Sequence, residues 1–147
     1  MFSAFKRKMG TSEKYLIPSL MSYYSPIGLS AMVLKELKNF IPEVQKPSSI
    51  VITIPASFDT VQCNATKEAG KEAGFEEVVL LQEPIAASLA FFNEKMNDAG
   101  SLGKWLVYDL GGGTFDIALI TIDNDEMRVV DHEGDNFLGG VDLDQMI

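Results

Sequence analysis

Residues 109–116, Asp109-Leu110-Gly111-Gly112-Gly113-Thr114-Phe115-Asp116, set three glycines between two aspartates. Apolar residues lead in (Trp105-Leu106-Val107-Tyr108) and lead out (Ile117-Ala118-Leu119-Ile120). The pattern predicts two strands joined by a turn. Glycines in such a turn expose backbone N–H groups with no side chains in the way, which suits phosphate oxygens. The flanking carboxylates suit a hydrated Mg²⁺. The same residues also suit a flexible hairpin whose aspartates are solvated, so phosphate binding stands here as a hypothesis.

Upstream of this turn the chain alternates helices and strands. Ser25-Pro26 is a helix start, with serine as cap and proline in the first turn. Met32, Val33, Leu37 and Phe40 follow at helical spacing, and Pro42 and Pro47 close the segment. The β-branched run Ile50–Ile54 predicts a strand buried on both faces, ended by Pro55. Asp59 or Thr60 opens a helix with Val61, Ala65, Ala69 and Ala73 on one side, and Gly74 stops it. This small-residue stripe lets a helix lie close to a sheet. Val78–Leu81 predicts another strand, and Pro84 starts a helix that fades between Asn97 and Gly103.

Downstream, Asn124-Asp125 predicts a turn, Met127 to Asp131 a strand, Gly134 to Gly140 a loop, and Val141 onward a helix start. Residues 1–25 read as irregular. The order gives βαβ logic first and hairpins last, hence an α/β class with a mixed sheet and flanking helices. The stretch Asp98–Gly103 is the best candidate for a subdomain boundary.

The 147 residues fit one domain or part of a larger one, and 46% apolar content is enough for a core. A net charge of −9 argues against nucleic acid or an anionic membrane as the main partner. It leaves nucleotide binding open, since Mg²⁺, backbone amides and one or two lysines supply positive potential locally. The single Cys63 cannot form an internal disulfide, which points to a reducing cytoplasm. No apolar run approaches the roughly 18 residues of a membrane span. The seven methionines are expected mostly in the core, and the lone His132 on a strand surface.

Four segments, in order, carry a family resemblance. They are Phe5-Lys6-Arg7-Lys8-Met9-Gly10; Ile50 through Pro55 to Ala65-Thr66-Lys67-Glu68-Ala69-Gly70; Gln82-Glu83-Pro84-Ile85-Ala86-Ala87; and the turn at 109–116 with Gly134-Asp135-Asn136-Phe137-Leu138-Gly139-Gly140. Together they resemble the nucleotide-binding domain of a DnaK-type, seventy-kilodalton heat-shock chaperone. That domain belongs to the actin-like ATPase superfamily, with its ribonuclease H-like fold. The resemblance implies ATP or ADP with Mg²⁺ as ligand, and hydrolysis by in-line attack of water on the γ-phosphate. It implies that Gly111, Gly112, Gly113 and Thr114 hold the terminal phosphates, with Gly139 and Gly140 bringing further backbone close.

Asp109 and Asp116 match carboxylates that organise Mg²⁺ through its waters. Glu83 matches an acid that positions the metal's hydration shell or the attacking water, though a favourable charge at a helix N-terminus explains it as well. Lys6 matches a lysine reaching the terminal phosphate, although alone the basic triplet 6–8 reads as a solvated cluster. Pro55 matches a proline that switches between nucleotide states, and ordinary strand punctuation accounts for it equally. The resemblance also implies unfolded polypeptide clients and co-chaperones for the parent protein.

Some positions depart from the family pattern. Cys63 stands where the family has a relay arginine, and a thiol cannot make a guanidinium's bidentate contacts. Phe137 replaces histidine, Val141 glutamate, Gln82 asparagine, and Phe91-Phe92 tyrosine-glycine. By the resemblance, residues 1–25 are the end of an outer subdomain of lobe I, 26–99 the second half of its core, and 104–147 the start of lobe II. A first phosphate loop and an adenosine-binding segment are not recognised in this stretch. The chain is therefore expected to be an internal piece that binds nucleotide weakly and self-associates through uncovered strand edges. Two other readings are a nucleotide-responsive module without hydrolysis and an actin-like or sugar-kinase relative.

Overall fold

The computed structural model describes residues 4–95, 103–123 and 126–146. The expected turn at Asn124-Asp125 lies outside the described residues, as does the stretch from Asp98 to Gly103 except for Gly103 itself. The chain groups into two compact units, Met1–Ile52 with Phe58–Leu80, and Thr53–Ser57 with Leu81–Ile147.

In the first unit, strands β1 (Tyr15–Ile17) and β2 (Ser22–Tyr24) form an antiparallel hairpin around a 3-10 turn at Pro18–Leu20. A 3-10 turn at Phe5–Lys8 precedes it. The irregular reading of residues 1–25 is corrected accordingly, since three-residue strands are too short to show a period. Helix α1 (Pro26–Asn39) starts where expected, with the Ser25 hydroxyl accepting from the Gly28 N–H at 3.1 Å. Its buried residues are Pro26, Leu29 and Ala31, whereas Phe40, just past its end, is 74% exposed and Leu37 53%. The spacing revealed the helix but not its buried side.

Strands β3 (Ser49–Ile54) and β4 (Glu77–Gln82) pair in a two-stranded sheet, with helix α2 (Thr60–Glu72) between them in the chain. The alanine stripe packs mainly against helix α1 and not, as expected, against the sheet, and the close approach to the strands is made at Gly70 instead. Ala65 and Ala69 bury against Met9, Ile27 and Leu34, while Ala73 joins Ala31, Phe75, Ile50 and Val78. A Cβ on Gly70 would stand 2.8 Å from Val78 Cγ2, so the helix lies as close to the strands as a bare backbone permits. The expectation that β3 is buried on both faces is not met. Exposure alternates along it, and Val51 is 58% exposed, because the core lies on one side of the strand. Nor are the methionines mostly core: Met9 is buried, but Met21 and Met146 are largely exposed.

Both ends of α2 are locked by local chemistry. Asp59 accepts from the Gln62 N–H at 2.8 Å, and the Gln62 side chain accepts from the Asp59 N–H at 3.0 Å. At the other end Gly74 has φ +87°, a conformation in which a side chain is strained. The Phe75 and Gly74 amides there donate back to Gly70 and Lys71 carbonyls. Asp59→Ala should cost about 1 kcal/mol, the usual loss for such a cap. That lowers the melting temperature by roughly 2–4 °C in a chain of this size, readable by calorimetry.

The second unit is built on an antiparallel meander of β5 (Gly103–Leu110), β6 (Phe115–Asp123) and β7 (Glu126–Asp135), with β6 central. Helix α3 (Glu83–Lys95) packs on these strands, its Phe91 ring 5.9 Å from that of Trp105. The register sets Trp105 opposite Ile120, Val107 opposite Ala118 and Asp109 opposite Asp116, all on one face. Ile120 has no exposed surface, while Leu106 and Tyr108 on the other face stay open. One correction falls on β7, which runs past Asp131 to Asp135 and so takes Gly134 out of the expected loop. Its polar end (Asp131-His132-Glu133) hides the strand from a propensity reading, and pairing with β6 decides it. A short helix α4 (Gly140–Asp144) follows.

Candidate phosphate-binding site

The glycine turn closes through a Gly111 N–H to Thr114 carbonyl bond of 2.9 Å, and the Thr114 side chain is buried. Gly112 is open: a Cβ there would meet nothing within 4 Å. The loop after β7 is shaped by Asp135, whose carboxylate accepts from the Phe137 N–H at 2.7 Å. It then brings Gly139 against the turn. A Cβ on Gly139 would stand 2.5 Å from Gly113 N and 2.6 Å from Gly112 C and O. With φ −174° Gly139 is simply extended, so the requirement is for space and not for a special conformation. The Gly140 and Val141 amides donate to the Gly111 and Gly112 carbonyls at 3.0 and 2.9 Å. Gly140 and Val141 thus commit their amides to holding the two loops together, and Gly111 commits its amide to closing the turn.

The two carboxylates flank this assembly. Asp116 is 4% exposed, and Ser57 Oγ lies 3.1 Å from its Oδ1. The same hydroxyl lies 3.0 Å from Asn136 Oδ1. Gly134 sits opposite Asp116 in the β6–β7 register; a Cβ there would stand 2.5 Å from Phe115 O and 3.2 Å from Asp116 Oδ1. Its missing side chain makes the room that the carboxylate occupies. Asp109 faces Asp116 directly across β5 and β6, and like charges in that relation destabilise a sheet. A cation at this end of the sheet would offset the penalty. Among the described residues no group of three or more His, Cys, Asp or Glu converges as a metal site. The paired carboxylates of Asp109 and Asp116 are oxygen donors of the kind that a hydrated Mg²⁺ takes.

The structure brings Asp109, Asp116, Gly111, Gly112, Gly113, Thr114, Gly139 and Gly140 together in one unit. The fully buried Pro55 belongs to the same unit, as does Glu83, the half-buried first residue of α3. Lys6 lies in the other unit, exposed, with its ammonium 6.0 Å from the centre of the Phe58 ring. Cys63 is half-buried there and directs its thiol to the Phe58 carbonyl at 3.9 Å. His132 is an exposed strand residue, as expected, and Phe137 is largely exposed. Sequence reasoning missed Ser57, Asn136 and Gly134 as site residues. Asn136 and Gly134 lay inside the quoted glycine loop, but only their contacts reveal their part.

An α/β unit whose strand–turn–strand glycines are clasped by a second glycine loop beside paired carboxylates has backbone of the kind that suits phosphate oxygens. Comparison with known sequences makes this specific. The sequence model described as "Hsp70 protein" matches residues 4–147. The chain is 44% identical over 147 residues to the chaperone protein DnaK of Mycoplasma mobile, covering 99% of this chain and 24% of that protein. It is 46% identical over 144 residues to DnaK of Thermosipho africanus, and 45% identical over 147 residues to DnaK of Thermotoga maritima. In each case 97% of this chain and 23% of the relative are covered. This chain belongs to the Hsp70 family, and its mixed α/β fold with flanking helices is that of the family's actin-like nucleotide-binding domain. It spans about a quarter of the length of the curated relatives it matches.

Proposed function

We propose that this chain is part of the ATP-binding and ATP-hydrolysing domain of a DnaK-type chaperone, which couples nucleotide state to the binding of unfolded polypeptides. The observation that carries the reading is the clasp of Gly139 on Gly112-Gly113 beside the paired Asp109 and Asp116. Gly112, Gly113 and the Thr114 hydroxyl hold terminal phosphate oxygens. Asp109 and Asp116 hold the waters of Mg²⁺, which when bound neutralises charge on the phosphates. Family membership supports Glu83 as the acid that orients the attacking water and Lys6 as the lysine for the terminal phosphate. Catalysis in this arrangement is positioning and charge stabilisation, with no covalent intermediate. Pro55, buried in the same unit as the turn, is the proposed switch between nucleotide states. Clients, co-chaperones and a cytoplasmic setting belong to the same proposal, the last supported by the free Cys63.

One observation favours a second reading. Cys63, in place of the family's arginine, directs its thiol at the nearby Phe58 carbonyl at 3.9 Å, a weak contact. The chain then responds to nucleotide without relaying the response. Both readings place a phosphate site at residues 109–116, and one experiment tests it. In a thermal-shift titration with Mg-ADP and Mg-ATP, a ligand that binds only the folded state raises the melting temperature. The expected result is a rise that Asp109→Ala abolishes, reached only in the millimolar range of ligand. An equal rise in the Asp109→Ala variant would refute the site.

A further inference from the structure

Ser57 joins two side chains far away in sequence, and its hydrogen bonds do not balance as they stand. Its Oγ is 3.1 Å from Asp116 Oδ1 and 3.0 Å from the Asn136 amide oxygen, partners 59 and 79 residues distant. A hydroxyl carries one proton, and an ionised carboxylate only accepts. Two acceptors facing one proton leave one of them unfilled. The oxygen and nitrogen of an asparagine amide are nearly interchangeable in shape, so turning Asn136 end for end resolves the conflict. The Asn136 amide then donates to Ser57 Oγ, and Ser57 donates to Asp116 Oδ1. The Ser57 hydroxyl then has one donor and one acceptor facing it, and the bond to the carboxylate is charge-assisted. For Asp116, at 4% exposure, the alternative of losing a donor is costly.

We infer that Ser57 is a positioning residue of the phosphate site, whose hydroxyl fixes the Asp116 carboxylate and ties the loop after β7 to the segment carrying Pro55. The inference rests on the reading of Asp116 as a carboxylate of that site. Its reach follows from the chain. Asn136 opens the loop that sets Gly139 on the glycine turn, and Ser57 stands two residues after Pro55 within Thr53–Ser57, which groups with the same unit. A movement of that segment therefore moves the donor to Asp116, and a change in the charge held by Asp116 acts back on the segment.

The test uses the ¹⁵N-labelled chain, with Mg-ADP titrated into the millimolar range and the Asn136 side-chain amide observed by NMR. In the parent chain one Asn136 amide proton is expected downfield and slowed in exchange. Ser57→Ala should collapse that signature and weaken apparent Mg-ADP affinity about tenfold, the value of one hydrogen bond to a charged group. Ser57→Thr, which keeps the hydroxyl, should restore both, and Asn136→Ala should weaken affinity with Ser57 intact. An unchanged Asn136 signature and affinity in Ser57→Ala would overturn the inference. If Asp116→Ala leaves the Mg-ADP response unaltered, the phosphate-site reading falls instead, and the Asn136 signature still decides whether Ser57 orients Asp116.

Discussion

Gly139→Ala is expected to melt about 6–12 °C below the parent chain, taking about 3 kcal/mol for overpacking at 2–4 °C per kcal/mol. The added methyl would meet Gly113 N and Gly112 C and O at 2.5–2.6 Å, and all three are backbone atoms. No rotamer change relieves such a contact. The two loops must separate, which breaks the bonds from the Gly140 and Val141 amides to the turn. Backbone strain plays no part, because alanine adopts an extended conformation freely. Gly112→Ala is the matched control: its methyl meets nothing within 4 Å, so the melting temperature should hold while the Mg-ADP response is lost. Calorimetry and ligand titration on the pair separate assembly of the cradle from its use. Equal melting of Gly139→Ala and the parent would show that the clasp does not support the fold.

That contrast also shows what the sequence could and could not disclose. The helix ends were legible because their chemistry is local: Ser25 and Asp59 cap within three residues, and Gly74 turns within its own αL position. The Asp109/Asp116 pairing was half legible, since a strand–glycine–strand pattern with symmetric aspartates already implies a register. The burial of α1 was not, because Met32, Val33, Leu37 and Phe40 share its period with the true core residues and only the neighbour decides between faces. β7 beyond Asp131 is stabilised by a ladder to β6 that no residue of its own announces. Ser57 and Gly134 owe their roles to Asp116, and such non-local partners leave no local pattern.

Asp116→Asn is expected to lose the Mg-ADP response while melting close to the parent temperature. Asparagine keeps the shape and an oxygen that accepts from Ser57, and it removes the like charge facing Asp109 across the strands. Such a cross-strand repulsion costs about 0.2–1 kcal/mol, which offsets the charge assistance lost from the Ser57 bond, about 1 kcal/mol, so the unligated chain should melt within roughly 4 °C of the parent. Asp116→Ala behaves differently. It strips the acceptor from the Ser57 hydroxyl and costs about 1–3 kcal/mol, or roughly 2–12 °C. Both variants should abolish the Mg-ADP response, yet only Asp116→Ala should lower stability appreciably. A buried carboxylate kept opposite another, where the amide serves the fold about as well, is retained for the cation and phosphates it organises. If Asp116→Asn is destabilised as much as Asp116→Ala, the negative charge itself holds the sheet end together, and the assignment of Asp116 to the ligand site loses its ground.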